Sequence, residues 1–325
     1  MRLGLMVGPE RARYATKVER MLRDAAWAEE SGLSSVWIPQ VPDEFDAMTA
    51  AVLIAQATSR IEIGTAVVPL QSRHPIALVQ QSLSTQLVAQ GRFTLGLGPS
   101  HHWIIQDMLG LAYERPAALT GDYLDVIEAA MAGPGPITVQ NDSFTISNPM
   151  YVTDQPRMQV MLAALGPVML QLAGSRTDGT ILWLADERAI ESHIAPRINA
   201  AAEEAGRPAP RIVAGVPVCV CLPDQVDTAK ARANRVLSEA TVSPNYQRLL
   251  NKGDAGSVAD IMAAGDEHAV RARLASFASA GVTDVSVRVL PIGDGRDELL
   301  ESSRRTREFI ASLVGSFSTE NEDRR

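Results

Sequence analysis

Two rhythms of apolar and polar positions alternate along this 325-residue chain. Short runs of β-prone apolar residues are followed by longer stretches with the three-to-four-residue spacing of amphipathic helices. Residues 3–7 predict a first strand. Residues 18–31, with Met21, Leu22, Ala25, Ala26 and Ala28 in helical spacing, predict a helix that stops at Gly32. Residues 35–38 form a second strand ended by Pro39, and 49–59 an alanine-rich helix. A third strand spans 61–67, a helix opened by Pro75 spans 75–89, and a fourth strand spans 93–97. The rhythm then loosens over 98–157, where one helix near 119–132 lies among the Pro, Gly and Asn of 133–136 and 147–149. This reads as an insertion, and long insertions in compact domains commonly carry lids or binding loops. The alternation resumes with strands at 159–163, 179–184 and 212–222 and helices at 166–176, 187–205 and 226–240. A second irregular stretch, 241–265, precedes a helix at 266–280, an eighth strand at 284–290 and a last helix at 298–313.

Strands separated by helices imply a parallel sheet, and continuous apolar runs imply strands buried on both faces. A doubly wound sheet competes with a closed barrel. Eight strands, with irregular inserts only after strands 4 and 7, favour a (β/α)8 TIM barrel. One domain is expected over 1–315, with a polar tail, 316–325, that frays.

The net charge of −8 and pI near 5.2 argue against a nucleic-acid partner, which calls for a basic stripe. No apolar run is long enough to span a bilayer, and no secretory pattern precedes Leu3, so a cytoplasmic protein without a membrane partner is expected. Cys219 and Cys221 lie at i and i+2 in an apolar run, which puts both on one face of a strand. Without a companion His or Cys cluster they are expected to be buried core thiols.

Barrel active sites are built from the loops after the strands. Gly98-Pro99-Ser100 follows the fourth strand, and glycine there would let a ligand approach the backbone; the competing reading is a simple turn. Ala164-Leu165-Gly166-Pro167 joins the fifth strand to a helix, whose free N–H groups attract phosphate. The turn itself holds no Lys or Arg, so an ordinary connection is the alternative. His101 and His102 can donate, accept or transfer a proton near neutral pH, or stand on a surface loop with no role. They lack a third metal ligand, so no metal is assigned. Trp103 is placed to wall a substrate pocket. Gln40 either contacts ligand or caps its own loop, and His74 is expected to hold the start of a helix. Trp183 either faces the pocket or fills a barrel layer.

Glu29-Glu30-Ser31-Gly32-Leu33-Ser34-Ser35-Val36-Trp37, Thr58-Ser59-Arg60-Ile61-Glu62-Ile63-Gly64-Thr65-Ala66-Val67, Arg73-His74-Pro75, Gly91-Arg92-Phe93-Thr94-Leu95-Gly96-Leu97-Gly98 and Gly281-Val282-Thr283-Asp284 stand in this order along the chain. Together they resemble the luciferase-like oxidoreductases, from Leu3 to about Phe309. The resemblance implies a barrel that binds a flavin or the deazaflavin coenzyme F420 at its C-terminal face. Thr65-Ala66-Val67-Val68-Pro69 looks more like the F420-dependent branch. It implies a non-proline cis peptide at Ala66–Val67 behind the ring. Ring contacts then fall on Ala66, Val67, Gly98, Pro99 and Ser100, and phosphate contacts on Ala164, Leu165, Gly166 and Pro167.

One departure narrows the activity. F420-dependent sugar-phosphate dehydrogenases carry Asp-His after the second strand, where this chain has Gln40-Val41, and a Glu matched here by His101. That argues against sugar phosphate and for hydride transfer between F420 and another small organic substrate. His101 is then the proton donor or polariser and Gln40 a second catalytic contact, with His102, Trp103 and Trp183 lining the substrate pocket. An FMN-dependent monooxygenase and a non-catalytic F420-binding or storage protein are the alternatives. The resemblance also implies a homodimer, for which barrel helices such as 49–59 are available.

Overall fold

The computed structural model describes residues 1–8, 16–152, 156–237 and 243–317. Its strands are β1 (Arg2–Met6), β2 (Ser35–Ile38), β3 (Glu62–Thr65), β4 (Val68–Pro69), β5 (Phe93–Gly98), β6 (Gly135–Gln140), β7 (Thr145–Met150), β8 (Gln159–Leu162), β9 (Gly179–Trp183), β10 (Arg211–Val220), β11 (Ala263–Gly265) and β12 (Asp284–Val289). Eight of them close into a parallel barrel in the order β1-β2-β3-β5-β8-β9-β10-β12, with β12 returning to β1. Short β4 adds to β5, and β11 to the far end of β10. The helices are α1 (Lys17–Glu30), α2 (Ala47–Ala57), α3 (Pro75–Val88), α4 (Pro116–Met131), α5 (Pro167–Arg176), α6 (Glu187–Ala189), α7 (Ala195–Glu204), α8 (Val226–Leu237), α9 (Pro244–Leu250), α10 (Val258–Ile261), α11 (Glu267–Ser279) and α12 (Arg296–Ser312). Single π-helical turns cover Ile104–Met108 and Ile190–Ile194. The expected helix end at 238–240 lies outside the described residues.

The two-residue period of the strands divides their side chains between two cores. Leu3, Leu5, Val36, Ile38, Ile63, Leu95 and Leu97 join the large core between sheet and helices. Trp37, Met161, Ile181 and Val213 fill the barrel interior as a separate cluster. The large rings fit because glycines face them. A Cβ at Gly64 would lie 2.3 Å from the Trp37 ring, and one at Gly215 would lie 2.6 Å from Trp183.

The N-terminal end of the barrel is polar. Arg211 bridges Glu62 at 2.8 Å and Asp284 at 2.9 Å, Arg2 reaches the same two carboxylates, and Thr94 donates to Glu62. The motifs that carry the family resemblance meet nearby. Glu29 accepts the backbone N–H groups of Ser59, Arg60 and Ile61, while the Arg92 guanidinium donates to the carbonyls of Ala55, Thr58 and Ile61. These motifs lock α1, α2 and β3 to β5.

Three expectations are corrected. The third strand is broken at Ala66–Val67 into β3 and β4. Residues 135–150, read as Pro/Gly/Asn-rich loop, form the antiparallel hairpin β6–β7, with Pro136 opposite Pro149. A two-stranded ribbon consists only of edges, where proline is tolerated. Ile137, Ile146 and Met150 bury the ribbon on the core, and Asn141 closes its turn by accepting the Phe144 N–H at 2.8 Å. The stretch 241–265, read as irregular, contains α9, α10 and β11. Cys219 and Cys221 are buried, as expected. Of the tail, Phe317 accepts from the Met1 ammonium at 2.6 Å, and 318–325 lie outside the described residues. Among the described residues no helix is long and apolar enough to cross a membrane.

Candidate active site at the barrel mouth

The C-terminal mouth of the barrel is floored by small residues. The Ala66–Val67 peptide is cis. Gly98 lies against it: a Cβ there would stand 3.2 Å from the Val67 side chain and 2.8 Å from that of Ala163. The loop after Gly98 is held from three sides. Leu70 donates its N–H to the Gly98 carbonyl at 3.0 Å, Gln71 Nε2 donates to that of Pro99 at 3.0 Å, and the Tyr113 hydroxyl donates to that of Ser100 at 3.2 Å. These anchors keep Ser100 at φ 59°, a left-handed conformation costly for serine. Leu184, just past β9, is held likewise at φ 56°. Gln71 Oε1 and Trp103 Nε1 are buried with no hydrogen-bond partner among the described residues.

His101 and His102 follow. The two inserts, which no sequence spacing connects, meet at His101. Its Nδ1 lies 2.8 Å from Ser243 Oγ, and the Tyr246 ring of α9 stacks on it at 5.3 Å. Trp103 flanks it at 5.7 Å, and His102 meets Tyr113 edge-on at 6.4 Å. Burial, helped by the neighbouring His102, pushes the His101 pKa down to about 4, so the imidazole is neutral at physiological pH. Burial likewise pushes the Tyr246 hydroxyl up.

Between β8 and α5, Ala164 is fully buried and Gly166 takes the N-cap position with no side chain capping the helix. Pro167 has no N–H, so Val168 and Met169 present the first free amides. A Cβ at Gly166 would meet nothing within 4 Å. His193 holds this turn from beneath, its Nε2 lying 2.9 Å from the Leu165 carbonyl, which accepts.

The remaining residues singled out in the sequence lie as follows. Gln40 accepts the Ala47 N–H at 2.8 Å, so its carbonyl is committed to its own loop. His74 caps α3 through Nδ1, accepting from the Ile76 N–H, as expected. Trp183 faces into the barrel over Gly215 and is half-buried. Trp37 is sealed at 0% exposure, its indole N–H donating to Ser35 Oγ at 2.9 Å. Ser243, Tyr246, Tyr113, Gln71 and His193 went unseen in the sequence. The only available signal was Ser243-Pro244, a helix-start dipeptide that says nothing about chemistry.

A flat apolar floor of Ala66, Val67, Gly98 and Ala163, an acceptor in Gln71 Oε1 with no partner among the described residues and an uncapped helix start suit a planar ring system with a phosphate-bearing tail.

Comparisons agree with the architecture. Residues 1–284 match the family described as luciferase-like monooxygenase. A putative coenzyme F420-dependent oxidoreductase of Mycobacterium tuberculosis is 26% identical over 197 residues, covering 57% of this chain and 55% of that protein. The chain spans 65% and 55% of the lengths of the first curated relatives it matches. Among solved structures, an F420-dependent secondary alcohol dehydrogenase in complex with an F420-acetone adduct superposes with a TM-score of 0.79 at 17% identity, covering 98% of this chain and 99% of that one. The oxygenating constituent of 3,6-diketocamphane monooxygenase from Pseudomonas putida, in complex with FMN, superposes with a TM-score of 0.75 at 17% identity, covering 98% and 99%. At such identities these two share the fold.

Proposed function

The chain belongs to the luciferase-like monooxygenase family, and from that premise we propose that it is an oxidoreductase using coenzyme F420 on a small organic substrate. When bound, the deazaflavin supplies two-electron hydride chemistry. The observation that carries the reading is the pairing of a flat floor with an uncapped helix start at one end of the barrel. The F420-dependent relative supports it.

In this reading Ala66, Val67, Gly98, Pro99 and Ser100 hold the ring. Ala164, Leu165, Gly166 and Pro167 bring the amides of Val168 and Met169 to the phosphate. His101 polarises the substrate, and Gln40, whose amide already bonds its own loop through Oε1 and Nε2, uses its remaining lone pair or N–H as a second contact. His102, Trp103 and Trp183 wall the substrate pocket. The chain acts as a homodimer. An FMN-dependent monooxygenase is the second reading, favoured by the likeness to the FMN-bound fold relative.

The test is a titration with F420 and FMN side by side, read by quenching of tryptophan fluorescence. Trp103 and Trp183 are the reporters. F420 is expected to bind at least about tenfold more tightly than FMN. The Gly166→Ala variant should lose about tenfold in F420 affinity with stability changed by roughly 0.5 kcal/mol or less, because its methyl meets only the ligand. Tighter binding of FMN would move the reading to the monooxygenase. Binding of F420 without turnover on any substrate would favour a storage protein.

A further inference from the structure

His101 and Ser243 are 142 residues apart in sequence, yet Nδ1 and Oγ make a 2.8 Å hydrogen bond. Ser243 occupies the N-cap of α9, where a serine hydroxyl ordinarily accepts a first-turn N–H. Here it makes no such bond. The residue is buried at 3% exposure, and Nδ1 is the one partner of its hydroxyl among the described residues.

That arrangement decides the direction of the bond. A buried hydroxyl has a proton to place, and Nδ1 is the lone pair in reach. Were Nδ1 protonated, the serine O–H would face no acceptor. So Ser243 donates, Nδ1 accepts, and the proton of the neutral imidazole sits on Nε2. His101 is partly exposed, and its Nε2 makes no hydrogen bond among the described residues. Tyr246 and Trp103 hold the ring plane.

We propose that Ser243 is a positioning residue that locks His101 in the Nε2–H tautomer, so that the pocket offers a neutral N–H donor to the substrate's reacting oxygen and the reacting group is a carbonyl, interconverted with its alcohol. The proposal rests on the hydride-transfer reading above. A carbonyl oxygen needs a donor, which Nε2–H supplies. The carbonyl carbon gains a hydride with its electron pair from the reduced 5-deazaflavin, the C–O π pair moves to oxygen, and that oxygen takes its proton from water. The imidazole keeps its own proton throughout.

The tautomer is read without cofactor or substrate. Two-bond 1H–15N spectra of full-length protein labelled with 15N-histidine distinguish the two neutral forms. The chain has five histidines, and the His101 signals are those lost in His101→Gln. The wild type should show the Nε2–H pattern at His101 from pH 8 down to about 5. Ser243→Ala should shift part of the population to the Nδ1–H form, and Ser243→Thr, which keeps the hydroxyl, should restore it. A wild-type Nδ1–H pattern overturns the proposal.

Turnover is then followed with reduced F420 and a panel of ketones and aldehydes. Ser243→Ala should lower kcat by about tenfold with KM for F420 unchanged, and Ser243→Thr should recover most of it. Turnover of none of these carbonyls or their alcohols, with hydride transfer to a substrate lacking that oxygen, would overturn the substrate assignment. A protein with the Nε2–H tautomer that binds no F420 would sink the cofactor reading and the reduction step, while the Ser243 lock would stand.

Discussion

Protonating His101 is disfavoured in the folded chain, and that has a measurable sign. Burial, then His102, lowers its pKa from 6.5 to about 4. Between those values the unfolded chain binds a proton that the folded chain does not, so stability falls as pH drops from 6.5 towards 4. Above 6.5 the contribution is complete, and below 4 no more is lost. The span corresponds to at most about 3 kcal/mol, less for the part of the ring that water reaches. His101→Gln should therefore flatten the acid limb of stability in this window, as measured by urea unfolding at a series of pH values. An unchanged pH profile would show that His101 titrates normally. His101 itself was legible in the sequence because it directly follows a strand and a turn. Its partner was not, because a serine in a polar stretch has no signature of its own.

At the level of elements, the second insert is a built part of the candidate site. Asp186, 5% exposed after β9, accepts the N–H groups of Ala189, Asp254 and Ala255 at 2.8, 2.6 and 2.7 Å. Gly253 passes so close that a Cβ would lie 2.0 Å from the carboxylate. This clamp fixes the segment whose other end carries Ser243 and Tyr246 to His101. Replacing Asp186 with Asn turns one acceptor into a donor facing N–H groups and should cost on the order of 2 kcal/mol locally. Amide hydrogen exchange over 243–256 should speed up while the barrel strands keep their protection. Uniformly faster exchange would mean that Asp186 supports the whole barrel rather than the insert. Strand and helix positions were legible almost throughout, since both periods are local. The β6–β7 hairpin was not, because its prolines and glycines resemble loop until the ribbon is seen resting on the core.

Over the whole molecule, the ion-pair network and the candidate site stand at opposite ends of the barrel, and on the proposed reading this divides stability from chemistry. The N-terminal end holds Arg211 between Glu62 and Asp284; burial alone would lower its pKa, but the two carboxylates outweigh that and raise it. Arg211→Met leaves those carboxylates short of a cation and should destabilise the fold by about 3 kcal/mol. On the proposed reading, affinity for F420 at the opposite end should change by roughly threefold or less. Urea unfolding together with the F420 titration checks both halves, and equal losses in both would deny the division. The resemblance motifs fall mostly on the stabilising side: Glu29, Ser59, Arg60, Ile61 and Arg92 clasp one another through backbone groups. Their order in the chain therefore announces a fold more firmly than a reaction.

What the sequence by itself determined was the alternation of eight strands with helices, the places where inserts interrupt it, and the glycine-, proline- and histidine-bearing turn after the fourth strand. Each is a property of neighbouring residues, written in periodicity and turn chemistry. What only the tertiary structure decided was which distant side chains meet. His101 finds Ser243 across 142 residues, Asp254 finds Asp186 across 68, and Arg211 finds Glu62 across 149. Closure of the barrel sets those pairings through strand register and side-chain direction. The same register turned Trp37 inward against Gly64 and sealed it, while Trp183 stayed half-buried over Gly215.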